Sequence, residues 1–192
     1  MPESSPPTVV SLTPHPAAGP GPALAVVVEV GWHPTSGLLS LDYRLDAEPS
    51  ALRLPAPASP RRADGLWRHT CLEAFARLEG RPGYLEFNGS PSGEWAAYAF
   101  DARREGMRPL ALAQDPATRF EHEPGRLRLH ADLQLPEAFR GPLQLGLATV
   151  VEAADGSLHY WALRHGDPAA PDFHDPESFT LRLGSDGMDA PG

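Results

Sequence analysis

The chain has 192 residues, enough for one domain with a sizeable core. Its net charge of −9, against sixteen cationic residues that are all arginine, argues against nucleic acid or an anionic membrane as main partner, since both need a basic face. A single cysteine, Cys71, excludes an intramolecular disulfide and a cysteine-built zinc site.

The opening MPESSPPTVVSL has no basic stretch followed by an apolar run, so no secretory signal is read and the expected location is the cytoplasm. Residues 1–22 and 185–192, polar or rich in proline and glycine, are expected as flexible tails around a domain at 23–184. The run ALAVVVEV at 23–30 is too short to cross a bilayer and reads as a strand from residue 24. In LLSLDYRLD, Leu39, Leu41, Tyr43 and Leu45 alternate with Ser40, Asp42, Arg44 and Asp46, the pattern of a strand with one wet face. The unpatterned stretch 55–65 reads as a surface loop.

Residues 68–78 follow. Their part LEAFARL suits a helix as well as a strand, and its flanks, a Trp-containing start and a Gly-Arg-Pro-Gly stop, favour the strand. Strands at 82–89 and 94–101 are joined through Ser92-Gly93, and another is read at 118–122. RLRLHADLQL alternates like the earlier segment, with Leu127, Leu129, Ala131, Leu133 and Leu135 inward. PEAFR at 136–140 reads as one helical turn with Pro136 at its first position. Strands at 143–154 and 157–165 meet at an Asp155-Gly156 turn, and a last strand covers 178–183. About ten short strands with regular turns predict an all-β chain, an antiparallel sandwich of two packed sheets.

Aromatic and polar residues gather in LWRHTCLEAF, YLEFNGSPSGEWAAYAF, DARREGM, LHYWALRHG and PDFHDPESF. Together they resemble the DOMON-like family related to type 9 carbohydrate-binding modules, over roughly residues 24–183. The resemblance implies a β-sandwich and a small ligand, a sugar in the type 9 modules and haem in the cytochrome-type domains. It implies a tryptophan and a glutamate at the spacing of Trp67 and Glu73, a downstream arginine at Arg104, and a late aromatic, Trp161 or Phe173. Flat aromatic faces for a pyranose and fixed polar groups for its hydroxyls are what such a site needs. Glu86, Asn88, Trp95 and Tyr98 complete the expected ligand set.

Each has a plainer alternative. The tryptophans also suit the core. Glu73 and Glu86 also suit cross-strand ion pairs with Arg68, Arg77 or Arg104. Asn88, Gly89, Ser90 and Pro91 also suit a turn. The two glutamates invite comparison with a glycosidase pair, but sequence supplies no distance. For haem, Met107 with His174 (or His165) would be the axial ligands; no Cys-x-x-Cys-His is present, so any haem would be noncovalent. His69, His165 and His174 with Asp172 suit a metal less well, being scattered without HxH or HExxH spacing. Cys71 reads as a buried thiol, and neither Thr70 nor Ser90 lies in a nucleophile elbow. The expected function is therefore noncatalytic binding of a carbohydrate or sugar-derived ligand, without a required cofactor or metal. Haem binding and a ligand-free interaction domain are the alternatives. Trp67, Glu73, Glu86, Tyr98 and Arg104 are expected on one concave sheet face.

Overall fold

The computed structural model describes residues 7–184. Among them, thirteen strands form two antiparallel sheets, linked by turns and four single 3-10 turns. The first sheet contains β1 (Thr8–Ser11), β3 (Ala25–His33), β4 (Leu38–Asp46), β9 (Ala117–Glu123) and β10 (Arg126–Gln134), in the order β1-β3-β4-β10-β9. The second contains β2 (Thr13–Pro14), β5 (Cys71–Leu78), β6 (Tyr84–Gly89), β7 (Trp95–Phe100), β8 (Arg108–Pro109), β11 (Leu143–Glu152), β12 (Leu158–Ala162) and β13 (Leu181–Leu183). Its order is β2-β12-β11-β5-β6-β7-β8, with β13 pairing the start of β11. Among the described residues no helix is long and apolar enough to cross a membrane.

The first sheet follows the alternation in the sequence. Leu39, Leu41, Tyr43 and Leu45 of β4 lie opposite Leu133, Ala131, Leu129 and Leu127 of β10, and all are buried between the sheets. Each buried leucine contributes roughly 1.5–3 kcal/mol. The alternate positions form a solvated ionic face, as where Arg128 meets Asp42 at 3.1 Å. The Tyr43 hydroxyl crosses the interior and donates to the Glu73 carbonyl at 2.6 Å, tying the sheets together.

The second sheet is covered on both faces. Leu72, Ala74, Ala76, Leu85, Phe87, Ala97, Leu145, Leu147 and Val151 face the first sheet. Cys71, Phe75, Tyr84, Ala96, Tyr98, Phe100, Ala148 and Val150 face the other way, into a separate cluster roofed by Leu66, Phe173 and Phe179. Burial on both faces erases the polar alternation, which is why LEAFARL suits a helix pattern yet forms β5. The roof sits close: the ring of Phe179 occupies the place where a Cβ on Gly146 would stand, 2.6 Å away.

Three expectations need correction. Residues 8–14, placed in a flexible tail reaching to 22, form β1 on the first sheet and β2 on the second. Val10 packs against the core, Leu12 is buried, and so is His15, whose Nε2 lies 2.9 Å from the Asp167 carbonyl. These strands are too short to show a period. The tail expected at 185–192 lies outside the described residues, as do residues 1–6. The strand expected from residue 68 begins only at Cys71, because residue 68 closes the 3-10 turn Leu66–Arg68, which Gly65 enters at φ +77°. Pro136 caps the 3-10 turn Glu137–Phe139 from outside instead of opening it.

Candidate functional site

A cleft of about 510 Å³ lies over the outer face of the second sheet. Its floor comes from facing strands. Glu73 of β5 pairs with Asn88 of β6, and Phe75 with Glu86, so the odd residues of one strand and the even residues of the next share this face. Val150 of β11 with Leu158 and Tyr160 of β12 continue the floor. Trp67, held out by the 66–68 turn, and Phe173 with His174, brought over by the segment after β12, form walls. Arg104 and Met107, from the turn after β7, and Arg68 complete the lining.

Both glutamates are buried, at 4% and 5% exposure, yet neither forms an ion pair with an arginine. Arg77 donates to Gln144 instead, and Arg104 donates to Asp172 at 2.8 Å. Glu86 accepts from the Asn88 amide at 2.7 Å, and its other oxygen lies 3.8 Å from His174 Nε2. Glu73 Oε1 and Asn88 Oδ1 have no hydrogen-bond partner. Burial, then the neighbouring Glu86, pushes the Glu73 carboxyl well above the carboxylate range, against a smaller pull from Arg104. Burial likewise raises Glu86 to about 7, opposed by Asn88 and Arg104. Burial and then Arg104 push His174 down to about 4. The floor thus offers polar groups that burial has stripped of water and the fold has left only partly satisfied, the usual mark of a place prepared for a ligand.

Arg104 holds φ +58°, the only positive φ outside glycine among the described residues. Strain of this kind costs on the order of 1–3 kcal/mol and persists where surrounding contacts fix it. Here the Arg104 amide donates to the Tyr84 hydroxyl at 3.1 Å while its guanidinium reaches Asp172. Arg103 grips the same Asp172 at 2.6 Å, so the two arginines pin the Phe173-bearing segment to the rim.

Of the residues singled out in the sequence, Trp67, Glu73, Glu86 and Arg104 line the cleft. Asn88 stands beneath it, and Tyr98 abuts Trp67 edge-on at 6.1 Å while donating to Asp64. Trp95 and Trp161 do not reach it. Both occupy strand positions that point between the sheets, at 5% and 4% exposure, and Trp161 donates to the Pro20 carbonyl. The late aromatic on the cleft is Phe173, with Tyr160 beside it at 6.1 Å. Tyr160 and Phe100 were not singled out, and Arg68 was named only as an ion-pair partner for the glutamates. Tyr160 was legible, since it alternates with Trp161.

Met107 and His174, the pair named for iron, both line the cleft. His174 Nδ1 is taken up by the Tyr84 hydroxyl at 2.8 Å, whereas Nε2, 3.8 Å from Glu86, makes no hydrogen bond. Iron at Nε2 would stand against the buried Glu86 carboxyl that faces this nitrogen. His69, His165 and His174 stand apart, bonded to Glu152, the Thr13 carbonyl and Tyr84 respectively. Among the described residues no three histidine, cysteine or carboxylate side chains converge as a metal site requires. Cys71 is fully buried, Thr70 bonds to backbone, and Ser90 closes a turn with Ser92.

No family model matches the chain, and neither does any curated protein. Two solved structures are similar in fold. One is a protein from Bacteroides uniformis provisionally named carbohydrate-binding, at TM-score 0.60 and 17% identity, with 81% of this chain and 76% of that one covered. The other is a family 9 carbohydrate-binding module from Caldicellulosiruptor kristjanssonii in complex with cellotriose, at TM-score 0.57 and 10% identity, covering 87% and 80%.

Proposed function

We propose that this chain is a noncatalytic, cytoplasmic sugar-binding domain of the DOMON-like kind, with its ligand seated in the cleft between Trp67 and Phe173. The observation that carries this reading is the floor: the buried carboxyl of Glu73 with an orphaned oxygen, beside the Glu86–Asn88 pair and under exposed aromatic walls. Sugar hydroxyls supply the missing partners, and the aromatic faces take the apolar side of a pyranose. The fold shared with a module that binds cellotriose supports the same reading. Hydrolysis is the weaker use of these glutamates. A glycosidase sets its two carboxyls on either side of the scissile bond, whereas Glu73 and Glu86 both rise from adjacent strands beneath the ligand.

Tryptophan fluorescence tests the reading directly. Of the four tryptophans only Trp67 is exposed, at 37%, and Trp32, Trp95 and Trp161 are all below 10%. A saturable change on adding glucose, cellobiose or cellotriose, absent in Trp67→Phe, is expected. Trp67→Ala is expected to weaken binding by about 10–100-fold, in line with the roughly 1.5–3 kcal/mol carried by a buried aromatic contact. No saturable response to any sugar would end this reading. Added haem is expected to give no Soret band that responds to Met107→Ala; a band that did would establish the redox alternative instead.

A further inference from the structure

Glu73 is 4% exposed, and one of its carboxyl oxygens has no partner. A second buried carboxyl, Glu86, stands diagonally across the β5–β6 pair, close enough to discourage ionisation of Glu73. The charged groups around the two do not resolve this. Arg104 already donates to Asp172. Arg68 lies exposed at the rim. His174, 3.8 Å from Glu86, is held neutral by burial and by Arg104. Asn88 supplies one donor, to Glu86 alone.

A neutral sugar would offer this floor hydroxyl donors but no charge. A cationic group between the carboxyls would satisfy the orphaned oxygen and favour ionisation of both groups, because an opposite charge nearby offsets the burial that disfavours their charged forms. The aromatic lining suits the same ligand: Trp67, Tyr160 and Phe173 border the cleft, and aromatic rings attract cations as well as stacking on a sugar.

Taking the cleft as the sugar site proposed above, we infer that its preferred ligand is an amino sugar, whose ring ammonium is held by Glu73 and Glu86 together. Binding then shifts both carboxyls towards their carboxylate forms and releases protons to solvent.

Calorimetric titration of the full chain with glucosamine, glucose and N-acetylglucosamine, at a pH where the free amine is protonated, tests this. Glucosamine is expected to bind at least ~10-fold more tightly than the other two, a difference of about 1.4 kcal/mol. The preference is expected to shrink towards ~1 in both Glu73→Gln and Glu86→Gln, because either change removes half of the anionic pair. Circular dichroism confirms that each variant is folded. Repeating the wild-type titration in two buffers of different ionisation enthalpy is expected to show proton release with glucosamine and none with glucose. Equal affinity for glucose and glucosamine, or a preference unmoved by both substitutions, overturns the amino-sugar assignment and leaves sugar binding standing. Binding of none of the three overturns the amino-sugar assignment, and the absence of any response to cellobiose or cellotriose as well removes sugar binding too.

Discussion

Phe75→Ala is expected to lower the unfolding free energy by about 3–5 kcal/mol, the range for emptying a buried aromatic position. Phe75 is 1% exposed at the centre of β5, but it faces the cleft side of the sheet. It stacks on Phe179 at 5.8 Å and meets His174 edge-on at 5.2 Å, so it is the surface on which the segment 173–179 rests. Its loss is expected to weaken sugar binding by about 10-fold or more as that segment loosens, equivalent to some 1.4 kcal/mol. Leu145→Ala is the control. Leu145 is fully buried on the opposite face of the same sheet, and its truncation is expected to cost about 2–5 kcal/mol while leaving affinity within roughly 3-fold. Urea unfolding and calorimetry at a temperature where both variants are folded read the two effects. Equal losses of affinity in the two variants would mean that the segment does not depend on Phe75.

Glu86→Gln is expected to stabilise the protein above neutral pH and to change little in acid. In the unfolded chain this carboxyl ionises near its ordinary value of 4.5; in the fold it does so only near 7. Between those values the native state keeps a proton that the unfolded state releases, so the wild-type protein loses stability as pH rises through the window. A shift of this size is worth on the order of 3 kcal/mol. Glutamine does not titrate and keeps an oxygen to accept from the Asn88 amide, the contact that Glu86 makes at 2.7 Å. The stability difference between variant and wild type is therefore expected to grow from about pH 4.5 to about pH 7 and then level off. His174, pushed down to about 4, acts in the opposite sense and lowers stability as pH falls below its ordinary 6.5, but it is present in both proteins. Urea unfolding across pH measures the difference. A gap that stays constant with pH would show that Glu86 is not buried as described.

Much of the fold was legible because the first sheet is wet on one side. Leu39, Leu41, Tyr43 and Leu45 announce both the strand and its inward face. The second sheet is dry on both sides, so its strands were placed by length and flanks, and β1, β2 and β8, of two to four residues, were too short to show a pattern. For the cleft, the same alternation held a signal that was not used. Trp95 and Tyr98 have opposite parity within β7, so they cannot both face one cleft, and Trp161 excludes itself once Tyr160 is placed on that face. What alternation cannot supply is the register that sets Glu73 against Asn88, or the path that returns Phe173 and His174 over Phe75 from a hundred residues away along the chain. Those depend on pairings between distant segments, and no local pattern encodes them.

The split of residues 8–14 between two sheets bears on how the domain can be shortened. The edge of β3 is covered by β1, and that of β12 by β2. A chain trimmed to start at Ala23, where the sequence places the domain boundary, would uncover both edges at once. Each would then offer a row of free backbone donors and acceptors, one of them on the valine-rich strand Ala25–His33. Such edges recruit other chains. The trimmed protein would thus lose solubility through self-association as well as losing the core contacts of Val10 and Leu12.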